Sequence, residues 1–221
     1  RTARLRAAAL VCRAGAPDGV VEPRLPGGAM SAQASIIVLA WNRWDLTERC
    51  LRSIERTTRV ANGDVVVVDN GSTDETPRRL RGYPWVRRLR LPENVGFVRG
   101  MNAGIRACPA DRDVVLLNND ATLLEEGWLE RLAEAARPDD VGIVGCRLLA
   151  SPGVLGNAGA WILPDDCWGE GYGTFERDVG QLRELRDVPI LQFACVYVAR
   201  RALSLVGFLS EEFVSYFEDA D

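Results

Sequence analysis

The 221-residue chain contains no lysine and no histidine, so all 27 of its basic residues are arginine. Without histidine, it cannot supply a histidine-based nucleophilic triad or a histidine metal ligand. Without lysine, it lacks the residue that a phosphate-binding P-loop places on its nucleotide. The net charge of −4 gives no case for a nucleic-acid partner.

Cysteines and long apolar runs are also scarce. The six cysteines lie at positions 12, 50, 108, 146, 167 and 195, and no two have the CxxC spacing of a zinc site. We interpret Cys50, Cys108 and Cys195 as reduced core residues of a cytoplasmic protein. No apolar run approaches the roughly 20 residues that span a bilayer. The expected location is the cytoplasm, either free or peripherally associated with the inner face of the cell membrane.

Residues 1–33 differ from the rest of the chain, because they are rich in arginine, alanine, glycine and proline and show no sustained period. We predict that they form a disordered leader. Met30, followed by Ser-Ala-Gln, is a candidate for the true start of the protein. Mass spectrometry of the native N-terminus tests that hypothesis.

Apolar runs without alternation predict strands that are covered on both faces, as in a parallel sheet. Strands are predicted at residues 35–40, 64–68, 86–91, 113–117, 141–149 and 191–199. Apolar residues at helical spacing and helix-start signals predict helices at 45–58, 74–81, 96–107, 125–137 and 200–206. Strand and helix alternate four times before residue 140, which predicts a right-handed parallel βαβ stack. Residues 150–188 are rich in glycine, proline, tryptophan and aspartate and have weak periodicity, so we predict loops with one or two short strands there.

Polar residues follow four of the predicted strands at the point where each strand ends. The four segments are Trp41-Asn42-Arg43, Asp69-Asn70-Gly71-Ser72, residues 92–97 and Asn118-Asn119-Asp120. In open α/β sheets, ligands bind at the carboxyl ends of the strands. Taken alone, Asn118 to Asp120 is a polar turn before a helix. In the company of the other three ends, we interpret Asp120 as a metal ligand.

Five segments, in this order, resemble the family 2 glycosyltransferases of GT-A fold, close to the bacterial rhamnosyltransferase-like branch. They are SIIVLAWNR, VVVVDNGSTDET, ENVGFVRGMNAGI, VVLLNNDATL and FVSYFEDAD, and they span residues 35–221. The resemblance implies an α/β fold with a Rossmann-like, mostly parallel sheet flanked by helices. It also implies an inverting transfer of sugar from a UDP- or dTDP-linked donor to a glycan or lipid-linked acceptor.

The same resemblance divides the chain. Residues 34–149 correspond to the half that binds the nucleotide-sugar, and residues 150–221 to the start of the acceptor-binding half. Family members continue beyond the acidic motif at which this sequence stops, so we expect the chain to be truncated at its C-terminus. We expect residues 1–221 alone to transfer sugar poorly.

The metal expected from the resemblance is Mg²⁺ or Mn²⁺, since hard oxygen ligands suit both ions. The family's metal motif is Asp-x-Asp, and its last residue matches Asp120. Asn118 takes the first position, from which it would reach a ribose hydroxyl or a metal-bound water. Asn119 lies between them in the expected nucleotide site.

Further nucleotide contacts are implied at the ends of the first two strands. Ala40, Trp41 and Asn42 match the segment that lines the base pocket, and Asp69 matches the carboxylate that binds the base or the ribose. Trp41 is either a platform on which the base stacks or an ordinary core residue.

Asn94, Gly96 and Asn102 match the family pattern N-x-G-F…N. Gly96 allows close backbone approach at a helix start, whose N–H groups favour anions. Arg99 either reaches the diphosphate or lies on a solvated helix surface.

The acidic motif Glu218-Asp219-Ala220-Asp221 matches the family's E-D-x-D motif. The match assigns the catalytic base to Asp219, with Glu218 as the alternative. Two other function classes stay open, a non-catalytic nucleotide-binding domain and a nucleotidyltransferase. The latter usually carries a glycine-rich basic loop after its first strand, and residues 40–45 show none.

Overall fold

The computed structural model describes residues 6–10, 34–162 and 169–213, and it confirms the predicted α/β class. Its strands are β1 (Arg6–Leu10), β2 (Ala34–Ala40), β3 (Val65–Asn70), β4 (Val86–Leu91), β5 (Asp113–Asn118), β6 (Val141–Cys146), β7 (Leu148–Ser151), β8 (Val154–Asn157), β9 (Ala160–Ile162), β10 (Gly169–Gly171), β11 (Arg186–Asp187) and β12 (Cys195–Val198). Its helices are α1 (Trp44–Thr57), α2 (Thr76–Arg79), α3 (Phe97–Ala107), α4 (Trp128–Ala135) and α5 (Arg200–Val206).

Eight strands form one sheet in the order β11-β1-β6-β12-β5-β2-β3-β4. From β2, the chain adds β3 and β4 on one side and then returns to place β5 on the other side, all four strands being parallel. The reversal makes a topological switch point between β2 and β5. Ligands of open α/β sheets bind in the crevice outside such a point, so the fold itself indicates where to look for a site.

Each face of the sheet carries its own apolar core. Ile36 and Val38 of β2 point into a core shared with α1 and α4, whereas Ile37 points into a core shared with α3 and α5. Both kinds of position are fully buried. This double burial explains why β2 is a continuous apolar run rather than an alternating one.

Residues 6–10 depart from the disorder expected for residues 1–33. They form β1, which pairs with β6 in parallel and with β11 in antiparallel orientation. Met30 and the remainder of the predicted leader lie outside the described residues.

The sheet is mostly parallel, as predicted, and β12 is an antiparallel member of it. This strand lies between β5 and β6 and runs antiparallel to both. The strand is also shorter than the predicted strand at 191–199, since it covers only Cys195–Val198. The predicted strand at 141–149 is broken into β6 and β7 at Arg147, whose side chain turns into a buried ion pair with Asp178.

Two helices begin later or end earlier than predicted. The predicted helix at 74–81 consists of α2, with Pro77 in its first turn, and a 3₁₀ turn at Leu80–Gly82. The predicted helix at 125–137 begins only at Trp128, because Gly127 adopts a left-handed conformation with φ of 72° before it. Among the described helices, none combines the length and the apolar character that crossing a membrane requires.

Candidate functional site

The polar strand ends meet at the carboxyl edge of the sheet, on both sides of the switch point. Ala40 of β2 pairs with Asp69 of β3, and its neighbour Leu39 pairs with Asn118 of β5. Because adjacent strands are about 4.8 Å apart, the backbones of Asp69 and Asn118 are roughly 10 Å from each other. A mononucleotide is large enough to span that distance.

Asn42 connects the loop after β2 to the loop after β3. Its backbone N–H donates to Ser72 Oγ at 2.8 Å, and its Oδ1 accepts from the N–H groups of Thr73 at 2.8 Å and Asp74 at 3.2 Å. Asn42 and Arg43 have positive φ values of 54° and 50°, so the side-chain bonds hold a turn that an unbraced chain avoids. A shallow depression of about 570 Å³ lies between the two loops.

Trp41 projects from the end of β2 into solvent. Its side chain is 53% exposed, whereas the preceding Ala40 is fully buried. The alternative that Trp41 fills the core is therefore wrong. An exposed indole beside the crevice offers a flat apolar surface on which an aromatic base can stack.

Asp69 already has partners on both of its carboxylate oxygens. Oδ1 accepts from the Ser72 N–H at 2.9 Å, and Oδ2 pairs with Arg90 Nη1 at 2.5 Å. Arg90 also donates to the Ser72 carbonyl at 3.1 Å, so it braces the loop after β3. A nucleotide contact would have to use one of the remaining lone pairs of the carboxylate.

Sequence reasoning missed Arg90, although it stands directly opposite Asp69 in the β3–β4 register. The strand β4 has the sequence VRRLRL, and all three of its arginines are exposed. Nothing in that pattern told which arginine faces the carboxylate, because the pairing depends on the register between strands.

Asn94 and Gly96 belong to a loop that Asn70 holds. The Asn70 side chain donates to Asn94 Oδ1 at 2.9 Å and to the Gly96 carbonyl at 3.1 Å, and it accepts from the Val95 N–H at 3.0 Å. Gly71, with φ of 71°, lies so close to this loop that a Cβ atom there would come within 2.3 Å of the Glu93 carbonyl carbon. The loop is thus built against the end of β3, and Asn94 is held in that contact by Asn70.

Asn102 has protein partners where a nucleotide contact was predicted, because its side chain is buried and bonded to the backbone. It is fully buried on α3 and bonds the backbone of Leu209 in both directions, at 2.9 and 3.1 Å. Glu211, two residues further on, pairs with Arg106 at 3.2 Å and with Arg99 at 3.6 Å. Arg99 thus lies on a solvated helix surface, where it pairs with Glu211, and it would have to leave that pair to reach a diphosphate.

The end of β5 carries the three residues at the centre of the sequence prediction. Asn119 donates from Nδ2 to Thr47 Oγ1 at 2.9 Å, which ties this strand end to α1. Asn118 is half-buried, and Asp120 is exposed. Within the described residues, no hydrogen bond or ion pair engages the carboxylate of Asp120. The negative charge of Asp120 does affect Cys50. Burial and, to a smaller extent, this charge raise the pKa of the Cys50 thiol to about 12.

The oxygen donors at this edge can hold a divalent cation only together with other ligands. Among the described residues, no group of three or more carboxylates and thiols converges on one point. Asp120 and the Asn118 amide oxygen are hard donors at the switch point, and Mg²⁺ is often bound through one or two carboxylates with phosphates and waters. The residues therefore fit a cation that is shared with a diphosphate, and they do not form an all-protein cage.

A larger cleft of about 1,080 Å³ opens from Asp120 toward the second half of the chain. Its walls include Arg49, Leu124, Cys146, Leu149 and Arg183. Arg147 and Asp178 also line the cleft and form an ion pair, with side chains that are 1% and 10% exposed. Sequence reasoning expected loops here and missed this pair, because the partners are 31 residues apart in a segment without periodicity.

The remaining predicted site residues, Glu218 and Asp219, lie outside the described residues. The chain is described up to Phe213, four residues after the segment that Asn102 anchors.

Comparison with known protein families shows to which family the chain belongs. The family model of glycosyl transferase family 2 matches residues 35–203. The chain belongs to this family. The predicted family membership and GT-A class are thereby confirmed, and the switch-point edge is the edge of a family 2 glycosyltransferase domain.

Three curated relatives of this glycosyltransferase domain differ in length. The O-antigen biosynthesis protein RfbC of Myxococcus xanthus is 28% identical over 195 residues, which cover 82% of this chain and 15% of RfbC. The uncharacterized protein y4gI of Sinorhizobium fredii is 26% identical over 85% of this chain and 22% of its own length. The N-acetylglucosaminyl-diphospho-decaprenol L-rhamnosyltransferase of Mycobacterium tuberculosis is 26% identical over 84% of this chain and 67% of its own length. The chain thus spans about a fifth or less of the first two relatives.

Solved structures share the fold of the glycosyltransferase domain. The mannosyltransferase PcManGT from Pyrobaculum calidifontis, in complex with GDP-Man and Mn²⁺, superposes with a TM-score of 0.57 at 20% identity, over 82% of this chain and 48% of its own. GalNAc-T7, with UDP, GalNAc and Mn²⁺, gives 0.62 at 12% identity, over 87% of this chain and 40% of its own. At these identities the likeness establishes the fold alone.

Proposed function

We propose that this domain transfers a sugar from a nucleoside-diphosphate sugar to a hydroxyl of a glycan or lipid-linked acceptor, with inversion at the anomeric carbon. The observation that carries the proposal is the position of Asp120. It is an exposed carboxylate at the switch point, without a partner among the described residues, at the mouth of the cleft of about 1,080 Å³. By contrast, Asp69 at the same edge already has partners on both oxygens.

The nucleotide is proposed to lie across the ends of β2, β3 and β5. The exposed indole of Trp41 would stack on the base, and a remaining lone pair of Asp69 would accept from the base or the ribose. The Asn118 amide would reach the ribose or the first water shell of the cation. Asn42, Asn70 and Asn94 act indirectly, because they fix the loops that border this surface.

Asp120 and Asn118 are the residues that would hold Mg²⁺ or Mn²⁺, and the structures of PcManGT and GalNAc-T7 each contain Mn²⁺. When bound, such a cation neutralises charge that develops on a departing diphosphate. The carboxylate of Asp120 would keep the diphosphate oriented at the cleft mouth, with the anomeric carbon turned toward the cleft.

The cleft is proposed to receive the acceptor, because it extends from Asp120 to residues 146–153 and to Asp178 and Arg183. Its leucine side chains would pack against the apolar faces of sugar rings, and its arginines would bind hydroxyls or phosphates. Asp219 is proposed to take the proton from the attacking hydroxyl, with Glu218 as the alternative base. A single displacement opposite the diphosphate then inverts the anomeric centre. For a lipid-linked acceptor, the domain would work at the inner face of the cell membrane.

Calorimetric titration with UDP, dTDP and GDP, each with and without Mn²⁺, tests the donor half of the proposal. We expect UDP or dTDP to bind more tightly than GDP, and only the Mn²⁺ series to reach full affinity. Equal binding of all three without the cation would contradict it.

The variant Asp219→Asn separates an enzyme from a non-catalytic nucleotide-binding domain. Lost sugar transfer with unchanged donor binding supports the catalytic assignment. Transfer that survives in Asp219→Asn and disappears in Glu218→Gln would move the base to Glu218. Release of diphosphate from a nucleoside triphosphate, with no sugar transfer, would favour a nucleotidyltransferase.

A further inference from the structure

Two cysteine thiols meet in the wall of the cleft next to Asp120. Cys146 ends β6 and Cys195 begins β12, and Val196 lies opposite Gly145 in this antiparallel pair. Continuing the register by one residue sets Cys195 opposite Cys146. Their Sγ atoms are 3.3 Å apart, and both residues line the cleft.

The backbone geometry at this pair suits a disulfide. Directly opposed residues of antiparallel strands have Cα atoms about 4.5–5.5 Å apart. Disulfides bridge Cα separations of about 4.4–6.8 Å, with a sulfur–sulfur bond of about 2.0 Å. The two sulfur atoms therefore have to approach each other by roughly 1.3 Å, a distance that small side-chain rotations supply. We propose that Cys146 and Cys195 are an oxidisable dithiol that closes to a disulfide across the cleft wall.

The chemistry is thiol–disulfide exchange with a small-molecule disulfide such as oxidised glutathione. Cys146 is the more exposed thiol and attacks first, so that its thiolate displaces one glutathione thiolate and leaves a mixed disulfide. The thiolate of Cys195 then attacks the Cys146 sulfur and displaces the second glutathione. The dithiol loses two electrons and two protons, and the oxidised glutathione becomes two molecules of the thiol.

The other described cysteines are unsuited to this reaction. Burial, with a smaller contribution from Asp120, raises the pKa of the Cys50 thiol to about 12, so almost no thiolate forms at neutral pH. Burial also raises the pKa of Cys108, whose thiol donates to the Gly104 carbonyl at 3.3 Å. These two residues are therefore matched internal controls.

The bond would cross-link β6 to β12, beside the end of β5 at the cleft edge. The carbonyl of Ala194, next to Cys195, accepts from the backbone N–H of Asn118 at 3.0 Å, two residues before Asp120. On the other strand, Arg147 follows Cys146 directly and holds the Asp178 side of the cleft. Oxidation would thus fix the ends of β6 and β12 to each other, next to the strand end that carries Asp120. This inference does not depend on the proposed sugar transfer.

The experiment equilibrates the folded protein with glutathione buffers from fully reduced to fully oxidised, blocks remaining thiols with iodoacetamide, and maps the peptides by mass spectrometry. We expect one linked peptide pair, containing Cys146 and Cys195, that disappears on reduction. Cys50 and Cys108 should stay alkylatable after unfolding at every ratio. Because the bond closes a loop between residues 49 apart, the thermal midpoint of the oxidised protein should rise by about 5 °C or more.

The variants Cys146→Ser and Cys195→Ser should each abolish the linked pair and the shift of the thermal midpoint, whereas Cys50→Ser and Cys108→Ser should keep both. Two results would overturn the proposal. One is that Cys146 and Cys195 stay fully alkylatable in the native chain at the most oxidising ratio. The other is that Cys146 is recovered linked mainly to Cys12 or Cys167, a result that a Cys12→Ser and Cys167→Ser background would verify.

Discussion

The side chain of Asn102 and the backbone of Leu209 are joined by two hydrogen bonds that run in opposite directions. Asn102 Nδ2 donates to the Leu209 carbonyl at 2.9 Å, and the Leu209 N–H donates to Asn102 Oδ1 at 3.1 Å. The amide thereby satisfies both polar groups of one residue, as a neighbouring strand would. It holds the segment that leads to the acidic motif against α3.

Replacing Asn102 should destabilise the fold rather than remove a nucleotide contact. In Asn102→Ala, the N–H and the carbonyl of Leu209 both lose their hydrogen-bond partner. The free energy of unfolding should therefore fall by about 2 kcal/mol. Urea denaturation measures this loss. Arg99→Ala is the matched control on the same helix, and it should cost much less, because the pair between Arg99 and Glu211 is exposed. An equal loss in both variants would show that Asn102 does not anchor the segment.

The buried pair of Arg147 and Asp178 predicts a specific pH dependence. A hydrogen bond from the Arg147 guanidinium lowers the pKa of Asp178 below its ordinary value of about 3.8. The resulting stabilisation is fully present above that value and is lost as the pH falls through the lower pKa of the folded state. At pH 7, the free energy of unfolding of Asp178→Asn should be lower than that of the native chain by about 3 kcal/mol. This is the low end of the cost of breaking a buried ion pair, and it applies because the pair lines an open cleft.

Urea denaturation of the native chain and of Asp178→Asn at pH 7, pH 5 and near pH 3 measures this dependence. The difference between the two proteins should be constant at the first two values and should shrink at the lowest. Asp45→Asn provides a control, since Asp45 pairs with Arg43 in full solvent and should change stability little at any pH. A difference that does not vary with pH would mean that the Asp178 charge is not what stabilises the pair.

The sequence was informative where burial on both faces imposed a continuous apolar run. Ile36 and Ile37 point to opposite cores, and a run of such residues predicted β2 and its neighbours. The direction of a strand leaves no such trace. The apolar run at Cys195–Val198 reads the same in either direction, so the antiparallel insertion of β12 was not predictable from it.

Side-chain partners were the least predictable part of the site. Asn102 suits a nucleotide contact and an anchor for Leu209 equally well, since an amide donates and accepts in both settings. Which one it makes is decided by a segment 107 residues away. The position of Asp120 was predictable because a carboxylate at the end of a buried strand needs only local information.

The exposed indole of Trp41 should contribute to nucleotide affinity and little to stability. Stacking of a base on an aromatic side chain contributes about 1–3 kcal/mol. Trp41→Ala should therefore weaken UDP or dTDP binding by about tenfold, and Trp41→Phe should retain most of it, with both measured by calorimetry. Trp161→Ala serves as a control, because Trp161 packs on Tyr172 in the second half of the chain. Unchanged affinity in Trp41→Ala would exclude a stacking role.

Substitution of Asp120 should separate the cation from the fold. Because no described residue bonds its carboxylate, Asp120→Asn should change the free energy of unfolding by less than about 0.5 kcal/mol. The same change removes a charged oxygen donor for a cation, so nucleotide affinity in the presence of Mn²⁺ should fall at least tenfold, an estimate of about 1.4 kcal/mol. Affinity without Mn²⁺ should stay the same.

Asp111→Asn is the matched control for Asp120, because Asp111 is an exposed aspartate just before the opposite end of β5. It removes the same charge from the chain and leaves the carboxyl edge intact, so it should bind nucleotide as the native protein does with and without Mn²⁺. A loss of affinity shared by both variants would trace the effect to net charge. A loss in Asp120→Asn that persists without Mn²⁺ would place the carboxylate against the nucleotide itself, and the assignment of Asp120 as the cation ligand would then be wrong.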